Sequence, residues 1–185
     1  KDAGVKFVAD VKPYELAKIR LFNGVHSFLA YYGELHEIEY VADVIRIPAV
    51  ADYVKAMQEE EIIKTLNLDT DLYSYAKEIR NRMKNQSLKH RSRQIAMDGS
   101  QKLPQRIIGT INDLEAKNIH AERLLNVLNT WIKYLATSNS INDPLATNLS
   151  ALAKSKNFAE IFAQLSAPLN PKALERINGL PITFD

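Results

Sequence analysis

Three polar side chains, Lys18, Asn23 and His26, lie in a largely apolar stretch of the chain, residues 18–32. A helix that is apolar nearly all round is usually buried. At about 100° per residue, the three side chains share one face, with His26 between the other two. A buried amine is driven towards its neutral form and can then act as a base, while an amide and an imidazole can hold an oxygen that gains negative charge. The stretch therefore predicts a buried helix whose polar face could remove a proton and stabilise an oxyanion.

The same residues also permit a purely structural interpretation. Lys18 could end in a salt bridge, and His26 could be a core histidine whose hydrogen bonds are satisfied. Polar triplets on one helical face are common, and burying them is costly only when they lack partners. On spacing alone, the structural interpretation is the favoured one.

Two sequence blocks resemble the mannitol dehydrogenase family, the long-chain, zinc-independent polyol dehydrogenases and sugar-acid reductases. The first block is PYELAKIRLFNGVHS at residues 13–27, and the second is LKHRSRQIAMDGSQKLPQR at residues 88–106. The family pattern is a lysine, four residues, an asparagine, two residues and a histidine, which Lys18, Asn23 and His26 match. The resemblance runs from about residue 5 to about residue 153. The resemblance is specific, because two separate motifs occur in the order that the family has. It favours a catalytic role over a structural role for Lys18, Asn23 and His26.

The resemblance implies a hydride-transfer site without metal. Lys18 is expected to take the proton from a substrate hydroxyl, Asn23 to hold the developing oxyanion, and His26 to bind the reacting oxygen or its neighbour. The lysine would do the work that zinc does in other alcohol dehydrogenases. The chain has no cysteine, and its four histidines show no metal-ligand spacing, in agreement with a metal-free site.

The second block is expected to supply substrate contacts. The resemblance places Lys102 against a distal hydroxyl or carboxylate, and Arg91 could join it on a sugar-acid carboxylate. A surface or interdomain salt bridge is an equal alternative for Arg91. Gln94 stands where some polyol-binding relatives have an arginine, which argues against a simple mannitol specificity. The block looks most like the fructuronate reductase (D-mannonate oxidoreductase) branch, with mannitol 2-dehydrogenase and tagaturonate reductase as alternatives.

The resemblance also predicts the domain organisation. Residues 1–12 are expected to be the remnant of an interdomain connection, and residues 13–185 an all-α substrate domain of about ten helices. None of the six glycines forms Gly-x-Gly-x-x-Gly, the dinucleotide fingerprint. NAD or NADP is therefore expected to bind mainly to a preceding dinucleotide-binding domain, the expected partner of this one. The chain alone is expected to be inactive, with an open or apolar face near Lys18.

Composition argues against several other classes of protein. Hydrophobic residues at 46% and charged residues at 25% are ordinary globular values, and a net charge of +2 gives no reason to expect nucleic acid or a membrane surface. No apolar run approaches the ~20 residues of a membrane span, and no secretory signal is visible. The lack of cysteine fits a reducing compartment, so a cytoplasmic location is expected. A non-enzymatic all-α interaction module remains the alternative from another class.

Capping residues, prolines, glycines and apolar spacing predict the helix boundaries. We expect the central helix to begin at Pro13 and to end at Gly33, and a short helix to follow over residues 36–44. The other expected helices cover residues 48–66, 69 or 70 to 83, 88–97 with a stop near residue 99, 103–114, 121–135, 144–154, 158–165 and 171–177. The run Glu59-Glu60-Glu61 is expected to be a solvated face. Trp131 is expected in the core and His120 at the surface.

Overall fold

The computed structural model describes residues 8–177 and Gly179, and these residues form helices and loops without a strand. The α-helices are α1 (Lys12–Lys18), α2 (Val25–Leu35), α3 (Val41–Val44), α4 (Pro48–Ala56), α5 (Leu72–Met83), α6 (Ser92–Ile95), α7 (Gly99–Leu103), α8 (Gly109–Ala116), α9 (Glu122–Thr137), α10 (Ala146–Lys154), α11 (Phe158–Ala163) and α12 (Pro171–Ile177). Three π-helical segments occupy Ile19–Gly24, Met57–Glu61 and Pro104–Ile108, and 3-10 turns occupy Ile62–Thr65 and Gln86–Leu88. None of the described helices is both long and apolar enough to cross a bilayer. The predicted all-α fold class is confirmed.

The helix that carries Asn23 and His26 lies in the middle of the core. α1, the first π segment and α2 form one uninterrupted helical run over residues 12–35. Leu21, Val25 and Phe28 in this run have no exposed surface. The helix must therefore be surrounded by other elements, as its apolar sequence predicts. Burial is confirmed for most of the stretch, whereas Lys18 at its start is exposed.

α9 is the second central element of the fold, and it packs against both α2 and α10. The rings of Tyr31 and Tyr134 lie 5.4 Å apart between α2 and α9. Trp131, also on α9, is 1% exposed. The core position predicted for Trp131 is confirmed, and so is the surface position predicted for His120.

The chain after α2 differs from its prediction. α2 continues past Gly33, because this glycine packs closely against Ser92 and does not turn the chain. The left-handed residue that ends the helical run is Glu37, with φ of 55°. Extended backbone follows, and Tyr40 forms an antiparallel bridge with Arg91. The predicted helix over residues 36–44 is therefore wrong except for α3, since the loop before α3 is tied to the second sequence block.

The start of α5 is capped by a residue that the sequence analysis did not choose. The Asp71 carboxylate accepts hydrogen bonds from the backbone N–H groups of Tyr73 and Ser74, both at 3.1 Å. This is the usual geometry of an N-cap aspartate, which satisfies two donors that lack partners within the helix. Asp69 and Thr70, the predicted caps, lie before it.

The second sequence block folds as two short helices around a tight turn, not as one helix over residues 88–97. Only α6 is α-helical in that range, and Asp98 adopts φ of 56° before α7 begins at Gly99. A Cβ atom on Gly99 would lie 2.6 Å from both Tyr31 Oη and Trp131 Nε1. Because no side chain fits there, the glycine lets the second block pack directly onto α2 and α9.

Glu61 is buried and does not belong to a solvated face, so that part of the prediction is wrong. The residue is 3% exposed. Its carboxylate accepts hydrogen bonds from the backbone N–H groups of Arg123 and Leu124, at 2.9 and 3.0 Å, in the first turn of α9. Ala121, which precedes α9, has no side chain that could cap it. Glu61 therefore caps α9 from a distant part of the chain.

Replacing Glu61 with alanine should destabilise the domain, because two buried donors lose their acceptor. Each such group left without a partner typically costs about 1–3 kcal/mol. Urea unfolding followed by circular dichroism measures the loss. Glu60→Ala is the matched control, since Glu60 is 59% exposed and only contacts Arg123 at the surface; its effect should stay within about 0.5 kcal/mol. Equal effects of the two substitutions would contradict the capping role.

Candidate active site

The first π segment sets the spacing of the predicted catalytic side chains. In a π-helix the hydrogen-bond repeat is five residues, so Lys18, just before the segment, and Asn23, within it, fall at neighbouring positions. Asn23 and His26 are three residues apart and are also neighbours. A regular α-helix would have turned Lys18 and Asn23 about 140° apart. With Lys18 and Asn23 brought together by the π segment, the three residues are expected to form one row along the helix.

A buried hydrogen bond supports the widened turn of this segment. Gln58, from the second π segment, has no exposed surface, and its Nε2 donates to the Leu21 carbonyl oxygen at 2.9 Å. Its Oε1 accepts from Arg80 Nη1 at 2.8 Å, and Arg80 also pairs with Glu59 at 2.9 Å. Because both ends of its amide are engaged, Gln58 fixes a backbone carbonyl of the π segment between Lys18 and Asn23.

Gly24 lets the first and third π segments come into close contact. A Cβ atom on Gly24 would lie 3.0 Å from the Arg106 carbonyl oxygen. The approach brings Arg106 Nη1 to 3.2 Å from Ser27 Oγ, which itself donates to the Asn23 carbonyl oxygen at 3.2 Å. Burial lowers the pKa of the half-buried Arg106 guanidinium. Arg106 belongs to the second block, and the sequence alone gives it no role. Contact between the two blocks brings it next to Ser27 and Asn23.

Lys18 is exposed, so the described residues do not supply the apolar pocket that the sequence analysis expected around its amine. Asn23 is half-buried. Val11 and Leu16, before Lys18 in the chain, are exposed apolar residues at 53% and 36%. A cavity of about 200 Å³ lies beside this surface, lined by Tyr14, Ala17, Leu68, Thr70 and Tyr75. Lys18 thus lies next to an open and partly apolar face, as expected.

His26 is buried and electrically neutral near pH 7. It is 6% exposed, and its ring lies 4.3 Å from the Phe22 ring and 5.5 Å from the His90 ring, both measured between centroids. Burial, and to a smaller extent the positive charges of His90 and Arg106, lowers the pKa of His26 from 6.5 to about 4. A neutral imidazole has one donor and one acceptor nitrogen, so His26 can donate one hydrogen bond to a substrate oxygen.

The lowered pKa of His26 should make the stability of the domain depend on pH. The unfolded chain binds a proton at His26 below pH 6.5, whereas the folded chain does so only near pH 4. Stability from this group is therefore fully present above pH 6.5 and is lost as the pH falls towards 4, by an amount on the order of 3 kcal/mol. Urea unfolding of wild type and His26→Gln at pH 7 and pH 4.5 measures it. The difference between the two proteins should change with pH; a constant difference would contradict the prediction.

The predicted substrate residues of the second block do not line the cavity that His26 lines. The Arg91 side chain is 64% exposed and forms a salt bridge with Glu39 at 3.3 Å. A surface salt bridge was one of the two alternatives that the sequence allowed for Arg91. Gln94 and Arg91 line a separate groove of about 570 Å³. Lys102 Nζ donates to the Met97 carbonyl oxygen at 2.6 Å and lies 3.7 Å from Asp98. The structure therefore groups Arg91 with Gln94, and it turns Lys102 back onto its own chain.

A second histidine, which the sequence analysis did not single out, faces His26. His90 and His26 line the same cavity of about 140 Å³, together with Arg82 and Asn85 from the region around the end of α5. No group of three or more histidine, aspartate or glutamate side chains suited to a metal occurs in the part of the chain that the structure describes. The other polar side chains in this cavity are those of Arg82, Asn85 and His90, which can each donate a hydrogen bond.

Comparison with known sequences agrees with the two-block pattern. The sequence profile described as mannitol dehydrogenase C-terminal domain matches residues 10–169. D-mannonate oxidoreductase of Escherichia coli is 38% identical over 180 residues, which cover 96% of this chain and 36% of that protein. Mannitol 2-dehydrogenase of Aspergillus terreus is 30% identical over 158 residues, which cover 81% of this chain and 32% of that protein. The chain spans about a third of the length of these curated relatives.

Comparison with solved structures gives the same result. Mannitol 2-dehydrogenase of Pseudomonas fluorescens, solved as a ternary complex with NAD and D-mannitol, matches with a TM-score of 0.84 at 29% identity, over 96% of this chain and 40% of that one. A D-sorbitol dehydrogenase in substrate-free form matches with a TM-score of 0.82 at 22% identity, over 95% of this chain and 39% of that one, and shows the fold alone. With the profile covering most of its length, the chain belongs to the mannitol dehydrogenase family and corresponds to the C-terminal domain of that family.

Proposed function

We propose that this chain is the substrate-binding and catalytic domain of a zinc-independent, NAD(P)-dependent oxidoreductase that interconverts a sugar acid or polyol and its ketose form. The single observation that carries the proposal is the π segment that brings Lys18 and Asn23 to neighbouring positions on the helix of His26. The row combines a base, an amide donor and a neutral imidazole donor, and it borders an open face. Removal of a proton from a hydroxyl, with stabilisation of the resulting oxyanion, needs these three kinds of group.

Each residue has one role in this reaction. Lys18 in its neutral form accepts the proton of the substrate hydroxyl, and in the reverse direction it returns that proton to the carbonyl oxygen. The Asn23 amide donates a hydrogen bond to the same oxygen as negative charge develops there. His26, neutral because of its burial, donates a second hydrogen bond without bringing a competing positive charge. Arg106 holds Ser27 and thereby supports the backbone of Asn23.

The residues of this chain do not fit a bound dinucleotide on their own. The chain has no glycine-rich phosphate loop, and Gly24, Gly33 and Gly99 are all packed against neighbouring groups. We therefore propose that a preceding domain holds the nicotinamide against the open face at Lys18, where it would supply the hydride acceptor. The exposed apolar residues beside Lys18 support this, since cofactor sites commonly lie between domains. The choice between NAD and NADP, and the cytoplasmic location, stay predictions.

We propose D-mannonate and D-fructuronate as the substrate pair. The 38% identity to D-mannonate oxidoreductase over nearly the whole chain supports this pair, as does Gln94 in place of the arginine of some polyol-binding relatives. Mannitol 2-dehydrogenase and tagaturonate reductase activities are the alternatives within the family. The alternative of another class is a non-enzymatic all-α interaction module. The retention of all four motif residues argues against it: Lys18, Asn23, His26 and Lys102.

Activity of the full-length protein tests the proposal. Reduction of fructuronate, tagaturonate and fructose, and oxidation of mannonate and mannitol, are measured with both nicotinamide cofactors. Fructuronate reduction should be the fastest, and the isolated chain should show neither turnover nor NAD(H) binding by calorimetry. A full-length protein without activity on any of these substrates would contradict the proposed function. Tight NAD(H) binding by the isolated chain would show that the cofactor site lies within it.

A further inference from the structure

The cavity next to His26 is lined by hydrogen-bond donors and has no acidic side chain in its wall. Arg82, Asn85 and His90 supply its polar surface, and Phe22, Met83 and Leu88 supply most of its apolar surface. Leu88 is 50% exposed, so the cavity opens to solvent on its side. A small cavity of about 140 Å³ with this charge distribution is suited to an anion attached to a short carbon chain.

The donors in this wall are available to a ligand. Within the described residues, the Arg82 guanidinium has neither a hydrogen bond nor an ion pair. Asn85 Oδ1 accepts from the Ser87 N–H at 3.0 Å, which leaves the amide NH₂ group of Asn85 as a free donor. His90 is held in place through its backbone, because its carbonyl oxygen accepts from the Val41 N–H at 3.1 Å. Its ring lies opposite the His26 ring, with 5.5 Å between the two centroids.

We propose that Arg82 and His90 bind the carboxylate of a sugar-acid substrate and thereby select sugar acids over neutral polyols. The inference rests on the proposed function, since it takes the reacting oxygen to lie at His26. The two histidine rings are 5.5 Å apart, so a substrate held by His26 reaches His90 within a few carbon atoms. Arg82 can bind a carboxylate through two parallel hydrogen bonds, and the His90 imidazole can donate a third.

The other candidates for the carboxylate are already engaged elsewhere. Arg91 is paired with Glu39, and Lys102 is bonded to the Met97 carbonyl oxygen and close to Asp98. Neither residue lines the cavity at His26. For either residue to bind the carboxylate, an existing interaction would have to break. In the part of the chain that the structure describes, the Arg82 guanidinium has no such interaction. The carboxylate site therefore differs from the one that the sequence analysis expected.

Paired kinetics on the full-length protein test the subsite. Mannonate and mannitol are compared as substrates because mannitol lacks the carboxylate. Arg82→Gln and His90→Asn should each raise KM for mannonate and lower kcat/KM by about 10- to 100-fold, the loss expected for one charge-assisted hydrogen bond. The ratio of kcat/KM for mannonate to kcat/KM for mannitol should therefore fall by about 10-fold or more, and thermal unfolding shows whether the variants fold. Arg82→Lys keeps the charge and should recover part of the loss.

Lys77→Gln is the matched control, because Lys77 is an exposed cation on the same helix, α5, and does not line the cavity. It should leave both substrates unaffected. Equal losses on mannonate and mannitol, or no loss on mannonate, would overturn the carboxylate subsite while leaving the proposed function intact. Wild-type protein that oxidises only mannitol would also overturn the subsite. Wild-type protein inert towards both substrates would instead overturn the proposed function, and the subsite with it.

Discussion

Replacing Lys18 with alanine in the full-length protein should lower turnover by about 10²–10⁴-fold, which corresponds to about 3–5 kcal/mol in the barrier. The loss is expected in the chemical step, because the proton of the substrate hydroxyl then has no acceptor in the row with Asn23 and His26. Lys18 is exposed in this domain, so its removal costs little packing, and substrate affinity and stability should change much less than turnover. Steady-state kinetics and thermal unfolding measure both.

The dependence of rate on pH distinguishes a base from a residue that merely contacts substrate. Oxidation by the wild-type protein should rise with pH, because the chemical step needs a base that can accept a proton, and Lys18→Ala should lose that rise. Asn23→Ala is the comparison: it should also slow the chemical step but keep the rise, since an amide does not titrate. If Lys18→Ala retains near-normal turnover and an unchanged pH profile, Lys18 has a structural role only.

The sequence predicted best those features that depend on neighbouring residues. Apolar spacing predicted the burial of α2 and the core position of Trp131, and proline at residue 13 marked the start of the central helix to within one residue. The candidate site of Lys18, Asn23 and His26 came instead from the resemblance of two blocks to a family, since spacing alone favoured a structural role. The confirmed predictions therefore concern apolar periodicity and helix boundaries.

The π segment could not be predicted in the same way. A widened turn at Ile19–Gly24 has no propensity signal, because its support comes from Gln58, 37 residues along the chain. Glu61 was misjudged for the same reason, since the helix start that it caps lies 62 and 63 residues later. Local reasoning treats such a residue as part of its own helix and cannot see the distant groups that it satisfies.

The second block shows the limit of motifs for specificity. Residues 88–106 were recognised as a unit, but the structure divides them between different surfaces. Arg91 and Gln94 line one groove, whereas His90 lines the cavity at His26. His90 and Arg91 are adjacent in the chain. The antiparallel bridge between Tyr40 and Arg91 fixes the backbone orientation of this pair. Because that bridge involves a distant loop, the sequence could not show which of the two neighbours lines the cavity at His26.

The second large effect is expected at Gln58, which supports the π segment but is not one of the proposed catalytic residues. Gln58→Leu should destabilise the domain by about 2–4 kcal/mol, because the Leu21 carbonyl and Arg80 Nη1 each lose a buried partner. It should also lower kcat by about 10²-fold, since a small displacement of Lys18 relative to Asn23 misaligns base and oxyanion donor. Urea unfolding and steady-state kinetics on the full-length protein measure the two effects separately.

Three comparisons decide whether Gln58 positions the site. The rise of rate with pH should persist in Gln58→Leu, because the base remains present and only its placement changes. Gln101→Leu is the matched control, since Gln101 is exposed on α7 and its side chain makes no hydrogen bond in the described part of the chain; stability and kcat should both stay near wild type. Loss of stability with an unchanged kcat would show that the π segment keeps its shape without Gln58. In that case the packing of Gly24 against the Arg106 carbonyl would be sufficient to hold Lys18 and Asn23 in register.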